Sequence, residues 1–299
     1  MKTPAAKALP LVLVLTLVWG TNWALFPLAV QEVSVWTFRA VSLTVAGALL
    51  LAFARARGMP ATIPRRHWPA VTAAALIYLV VWNLASTYAA ILIPSGQAAI
   101  LGFTMPLWTV LVVWIAFGER PSPRMLLAMA LAALGVALLA IPARTAYATA
   151  PAGFLLGLLA GLGWAVGTVV LKRANVPVPA LVLTGWQLLI AALPLAIGAL
   201  WLGRGQGHAV SLQTIIVITY ITIVPMAIGN AAWFAIVGLL PASVAGLSSV
   251  MVPIVAMVTG AIVHAEPLGP WQLGAMACSA CALYLALAKR QETKPLSDR

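Results

Sequence analysis

The chain has 299 residues, 63% of them hydrophobic and 7% charged, with a mean hydropathy of +1.06. That composition leaves too little polar surface to cover a soluble globule of this length and places the chain in a lipid bilayer. The net charge of +12 would suit nucleic acid or an acidic partner, so the positions of the basic residues decide what it means.

An α-helix needs about 20 apolar residues to cross a hydrocarbon core. Ten runs of that kind are predicted, at 8–30, 36–54, 69–90, 95–117, 124–141, 153–171, 180–202, 212–238, 242–263 and 271–288. The expected fold class is therefore an all-α membrane protein with short loops and no attached soluble domain. The first run follows Lys2 and Lys7 in the manner of a signal peptide, but no small-residue cleavage motif ends it before Asn22 and Trp23, and it reads as a retained helix.

With a cytoplasmic N-terminus, fourteen of the seventeen Lys and Arg fall on the cytoplasmic side, including Arg55, Arg57, Arg65, Arg66, Arg120, Arg124, Lys172 and Arg173. Arg144 and Arg204 fall outside, and Arg39 lies within a span. This is the positive-inside pattern, so the basic excess reports topology in an inner membrane with both termini cytoplasmic, and nucleic acid is not an expected partner. Cys278 and Cys281 spell C-x-x-C inside the last span, with no cation nearby to stabilise a thiolate, and read as small-residue packing. No metal or cofactor is called for.

Along the spans, the polar-neutral and aromatic residues available to line a cavity are Asn22 and Trp23, then Tyr78, Trp82 and Asn83, then Trp164, Gln187, Asn230 and Trp233. Tyr78 and Trp82, four apart, share a helix face, with Asn83 on an adjoining one. A buried Asn in lipid needs a partner, and bonding between helices is the favoured reading for Asn83 and Asn230. Arg39 lies about one turn from the outer surface. Snorkelling outward, or bonding free carbonyls at a helix end, is favoured there over meeting a substrate carboxylate. Gly153, Gly157 and Gly161 form a stripe suited to close helix packing. Pro106, Pro225 and Pro253 fall inside spans, where each permits a kink that serves as hinge or fixed bend. Trp36, Trp68, Trp201 and Trp271 lie near span ends and fit an interfacial belt. Glu119 and Glu266 end the fourth and ninth spans on opposite faces; gating by pairing with a basic residue competes with simple solvation.

The chain also repeats itself at a constant offset of 147 residues. Asn83 falls on Asn230, Pro94 on Pro241, Pro106 on Pro253 and Glu119 on Glu266. The register of Asn, two Pro and Glu carries the match, since Ala and Leu coincide often by chance. Residues 1–146 and 147–299 are then two five-helix units, and an odd helix number makes the second enter from the opposite face. Secondary transporters built from inverted repeats bind substrate near the midplane and work by alternating access.

Trp19-Gly20, Phe38-Arg39, Pro94, Pro106 and Gly118-Glu119-Arg120-Pro121, answered by Trp164, Gln187, Pro241, Pro253 and Glu266-Pro267, resemble the EamA repeat of the drug/metabolite transporter superfamily. Within it the likeness is to YddG-type amino-acid exporters. The resemblance implies ten helices, a central cavity lined by helices 1, 3, 4, 6, 8 and 9, and helices 5 and 10 at the periphery. The second copy departs at Phe38-Arg39, whose nearest counterpart Trp186-Gln187 is one residue off the offset, so any role of the Arg is not duplicated.

Function follows from what the spans lack. None of the five acidic residues is predicted deep in a span, which disfavours cationic drugs, and a single buried Arg disfavours sugar phosphates. The expected function is export of small net-neutral amphipathic metabolites, amino acids including aromatic ones above all. A carrier for other neutral metabolites or drugs, and a channel, are the alternatives. A serine protease built on Ser249 and His264 would need the two to meet, yet they are 15 residues apart, roughly 22 Å along one helix. His67 and His208 fall on opposite sides, which leaves no metal cluster.

Overall fold

The computed structural model describes residues 4–93, 95–142, 144–203, 210–264 and 269–287, and every regular element among them is helical. In chain order they are α1 (Pro4–Gly20), α2 (Val35–Ala56), α3 (Trp68–Ala74), α4 (Val81–Leu92), α5 (Ser95–Gly102), α6 (Met105–Phe117) and α7 (Pro123–Ala140). These are followed by α8 (Pro151–Ala174), α9 (Ala180–Leu202), α10 (Leu212–Ile221), α11 (Asn230–Leu239), α12 (Ala242–Leu247), α13 (Val252–His264) and α14 (Pro270–Leu287), with a few single turns between. Hydrocarbon offers backbone groups no water, so a spanning chain that does not close a β-barrel must satisfy them within each segment. Among the described residues eight stretches are long and apolar enough to cross a membrane, from Ala6–Ala29 to Leu212–Leu239. The protein is a multi-pass membrane protein, and its outer surface is covered by apolar side chains such as Leu17, Ile115, Leu193 and Leu200.

Local chemistry sets the helix ends. Ser34, Ser122 and Ser211 adopt extended backbone and accept the N–H three residues on, opening α2, α7 and α10. Gly118, at φ +67°, closes α6 in a left-handed turn that a side chain would strain. Glu32 reaches across from the loop after α1 and accepts the Ser211 N–H at 2.8 Å. That bond, with the Thr214 and Ser211 hydroxyls, holds its carboxyl below the usual range. The tie is therefore present above ordinary carboxyl pKa values and is lost as pH falls through the lowered one.

Two features depart from continuous helices. π-helical turns join α3 to α4 at Ala75–Val80 and α10 to α11 at Thr222–Gly229, and both begin at repeat-equivalent positions. Pro225 lies in the second, but the first has no proline, so proline is not what makes the wide turn. The fourth and ninth predicted spans are each broken into two pieces, α5 and α6 at residues 103–104, and α12 and α13 at residues 248–251. Pro106 and Pro253 are thus not mid-helix kinks. Each sits at the second position of a restarted helix, where a missing N–H leaves no bond unmade.

Two helices pack lengthwise on the helix 147 residues further along the chain. α2 lies along α9 and α7 along α14. A Cβ on Gly198 would meet the Trp36 ring, one on Gly47 would stand 2.9 Å from the Gly185 carbonyl oxygen, and one on Gly185 would stand 2.7 Å from Leu51 Cγ. Residue numbers rise on α2 as they fall on α9, so the two run antiparallel. The same holds for α7 and α14, where Gly135 faces Cys278 and Leu138 faces Gly274. The α7 stretch is peripheral, 18% buried where the other seven are 44–56%. Cys278 packs at this contact, as expected of small-residue packing, but Cys281 is exposed and does not share in it.

The glycine stripe of α8 is a close-packing surface. A Cβ on Gly153 would press on Leu92 and Ile93, one on Gly157 on Leu101, and one on Gly161 on the Gly102 carbonyl. One turn on, a Cβ at Gly167 would fall 2.4 Å from Tyr78 Cδ1, in a ring that has nowhere to go. Overpacking of this kind costs about 1–3 kcal/mol. Gly167→Ala is expected to lower the unfolding temperature in detergent by several degrees. Gly238→Ala, whose Cβ meets nothing within 4 Å, is expected to match or exceed the parent in the same measurement.

Candidate functional site

At the centre of the bundle Trp164 of α8 is fully buried and gathers four aromatic rings. Its centroid lies 4.8 Å from Trp82, 5.1 Å from Trp19, 5.2 Å from Tyr78 and 5.7 Å from Trp233. Each edge-to-face pair of this kind adds roughly 0.5–1.5 kcal/mol beyond burial, so the cluster holds α1, α4, α8 and α11 in register. Beside it is a narrow cavity of about 30 Å³, room for a water or two. Six of the expected substrate-binding residues line it: Asn22, Trp23, Trp82, Asn83, Trp164 and Asn230.

The other three stand one layer back. Tyr78 donates to Gln187 Oε1 at 2.9 Å, and Trp233 packs on Trp19 and Trp164. Tyr78 and Trp82 were expected on one face with Asn83 beside it. The cavity instead takes Trp82 and Asn83, because the π-helical turn at Ala75–Val80 inserts a residue and rotates what precedes it. Trp19, Phe26 and Phe103 also line the cavity. Their signal was present on the first span, where Trp19, Asn22, Trp23 and Phe26 fall at i, i+3, i+4 and i+7, one helical face.

Asn83 and Asn230 do not bond between helices. Asn83 Nδ2 donates to the Leu79 carbonyl at 2.7 Å and Asn230 Nδ2 to the Met226 carbonyl at 2.8 Å, each four residues back on its own helix. At Asn230 the backbone N–H goes to Ala227, which leaves the Met226 carbonyl to the side chain. Only the amide nitrogen can serve a carbonyl, so each Oδ1 is the acceptor turned the other way. Neither Oδ1 has a partner, nor has that of Asn22.

Arg39 does not snorkel. It is 1% exposed, its Nε donates to Thr87 Oγ1 at 2.8 Å, and its guanidinium lies 4.3 Å from the Phe26 ring and 4.5 Å from the Phe38 ring. It lines the cavity, and its Nη2 is unpartnered. The Phe26 and Phe38 rings lie against the guanidinium, which stands on the cavity lining.

A second, larger cleft of about 360 Å³ opens at the end of the bundle bearing Lys172, between α8, α9 and α11. Lys172 Nζ is engaged there, donating to the Val237 carbonyl at 2.7 Å at the end of α11. Phe234 borders this cleft, Tyr78 packs on Phe234, and Trp164 packs on Tyr78, so an aromatic layer separates cleft from central cavity. At the same end Glu119 pairs with Arg173, each half exposed, and the Arg173 guanidinium covers Phe117 at 4.1 Å. Glu266 lies outside the described residues. Pro225 borders the central cavity and its carbonyl accepts from Trp19 Nε1 at 3.1 Å. Pro106 and Pro253 instead face a small gap next to Phe103 and Val250.

Comparison with known proteins gives the family to which a chain with this cavity belongs. The model of the EamA-like transporter family matches twice, over residues 6–141 and 151–288. The chain belongs to the EamA-like transporter family. An uncharacterized transporter, YvbV, of Bacillus subtilis is 24% identical over 89% of this chain and 86% of its own length. A Salmonella typhimurium protein named "Probable amino-acid metabolite efflux pump" is 28% identical over 64% of this chain and 67% of its own. A protein of known crystal structure, 21% identical, has the same fold, with a TM-score of 0.76 over 94% of this chain and 97% of that one. This EamA-like protein is thus a transporter and not an enzyme, with a small-molecule substrate and the bilayer as its surroundings.

The Tyr78 to Gln187 bond supports the aromatic layer, and Gln187 Nε2 already lacks a partner. Removing one partner of a buried hydrogen bond costs about 1–3 kcal/mol, more than removing both. Tyr78→Phe is therefore expected to lower the unfolding temperature, and Tyr78→Phe with Gln187→Leu to recover part of it, read as a double-mutant cycle in detergent.

Proposed function

We propose that this protein is a secondary transporter that exports small, net-neutral amphipathic metabolites, amino acids including aromatic ones, by alternating access. The observation that carries this is the central cavity: tryptophan faces for an apolar side chain, amide oxygens and indole N–H groups for polar ends, and no carboxylate among its lining. The efflux name borne by the Salmonella typhimurium relative points the same way.

In this reading ten helices form two inverted five-helix repeats, residues 1–146 and 147–299. The antiparallel pairing of α2 with α9 and of α7 with α14 supports it, because an axis in the membrane plane reverses the direction of every helix it relates. So does the small gap where Phe103, Pro106 and Ala132 meet Val250, Pro253 and Ser279, each 147 residues from its mate. In this reading both termini lie in the cytoplasm of a bacterial cell, the protein in its inner membrane and the Lys172 cleft on the inside, and the excess of basic residues assigned to that side supports it.

Asn22, Trp23, Trp82, Asn83, Trp164 and Asn230 contact the substrate, with Tyr78, Gln187 and Trp233 supporting them. A cavity with room for a water or two is smaller than any amino acid, so it widens when substrate enters. The aromatic layer of Trp164, Tyr78 and Phe234 is the inner barrier, with the Glu119 to Arg173 pair beyond it and Glu266 as the opposite-face counterpart of Glu119. The breaks before Pro106 and Pro253 and the wide turn around Pro225 are where the helices bend. No deep carboxylate among the described residues serves as a proton carrier, which favours a facilitator for neutral metabolites or drugs as the second reading.

Counterflow into proteoliposomes tests this. Labelled phenylalanine, threonine or methionine is expected to accumulate saturably, and Trp82→Ala to lower the rate of phenylalanine counterflow at least tenfold. Counterflow of none of the three would refute the amino-acid assignment.

A further inference from the structure

Among the described residues Arg39 is buried without an anion beside it. The guanidinium carries five N–H donors, and the described residues give it one hydroxyl, Thr87 Oγ1, and the faces of two phenylalanines. The two described carboxylates are engaged elsewhere, Glu32 with Ser211 and Glu119 with Arg173. A charge held out of water and out of lipid without a counter-ion is expensive, and sites that keep one supply the partner from what they bind. Nη2 is unpartnered on a residue lining the central cavity, so the partner enters there.

The rest of the lining narrows the chemistry. Asn22, Asn83 and Asn230 each present an unpartnered Oδ1, and those of Asn83 and Asn230 are fixed as acceptors by the carbonyls their Nδ2 atoms serve. Carbonyl oxygens repel an anion and take N–H donors. A simple anion would satisfy Arg39 and not the asparagines, and an amine the reverse. We propose that the cavity is a charge-sorted site for a zwitterion, in which Arg39 pairs with the carboxylate and the asparagine oxygens take the ammonium. This rests on the amino-acid transporter reading above and adds which residue reads which end.

Thr87 is the positioning residue. Its hydroxyl hydrogen goes to the Asn83 backbone carbonyl at 2.6 Å, which leaves its lone pair for Arg39 Nε and aims the fork at the cavity. The repeat then gives the site its polarity. Asn83 and Asn230 are related by the 147-residue offset and sit on both halves, whereas the nearest counterpart of Arg39 is Gln187, occupied by Tyr78. One end of a pseudo-symmetric cavity therefore takes a carboxylate, and the substrate has a single orientation.

The test measures binding to the purified full-length protein by tryptophan fluorescence. The probes are L-phenylalanine, L-threonine and L-methionine against their amides, which keep the ammonium and lose the carboxylate. The wild type is expected to bind at least one amino acid ten-fold or more tightly than its amide. Arg39→Gln is expected to weaken the amino acid at least ten-fold, leave the amide within about two-fold, and so erase the ratio. Arg39→Lys, which keeps the charge, and Thr87→Val, which keeps the arginine, are expected to hold intermediate ratios, and this separates recognition from misfolding. A flat ratio in the wild type, or a ratio that survives in Arg39→Gln, overturns the assignment while counterflow of the amino acid leaves the transporter reading intact. Neither binding nor counterflow of any of the three defeats both.

Discussion

In hydrocarbon a polar atom has no solvent to fall back on, so every one left untied inside the bundle carries a cost. Most of the buried polar side chains here are tied, and tied locally. Thr87, Thr109, Thr184 and Thr222 donate to carbonyls four residues back, Asn83 and Asn230 do the same, and Lys172 closes the end of α11. Among the described residues Ser86, Thr168, Gln187 and Trp233 keep an unpartnered atom away from the cavity, while those of Asn22, Arg39, Asn83, Trp164 and Asn230 stand together on its lining. Leaving them so costs about 1–3 kcal/mol apiece, which is a reason to read the cavity as functional.

The cavity exists because backbones approach closely around it. Gly20 lets α1 sit against Val255, Gly229 admits the Trp19 ring, and Gly167 admits Tyr78. Small residues do in a membrane what apolar burial does in water, since lipid tails are as apolar as leucine and only shape and dispersion favour helix over lipid. The tryptophans brought together this way are wide, flat surfaces with one donor each. They suit a ligand that is apolar along its length and polar at its ends.

Much of this was legible in the sequence. Apolar runs located the helices, and six of nine expected lining residues line the cavity. The placing of Tyr78 differs because helix periodicity assumes 3.6 residues per turn. The π-helical turns at Ala75–Val80 and Thr222–Gly229 break that assumption, and the first sets Tyr78 off the lining. Nothing local in the sequence announces such a turn, because the first one contains no proline. Arg39 was misjudged for a different reason. Its depth suggests an outward reach, and only its burial, its bond to Thr87 and its place on the cavity lining show that the side chain turns inward. The breaks before Pro106 and Pro253 were half legible: the prolines were visible, but a helix that stops and restarts reads the same as one that bends.

The account stands or falls on one cavity being open to each side in turn. The direct measurement places a single cysteine at Phe103, on the lining at the break between α5 and α6, in a protein whose Cys278 and Cys281 are replaced by alanine, and adds a membrane-impermeant thiol reagent to either face of oriented proteoliposomes. Alternating access predicts labelling from both faces, slowed from each by bound substrate. Labelling from one face alone under every condition, or from neither, would contradict it.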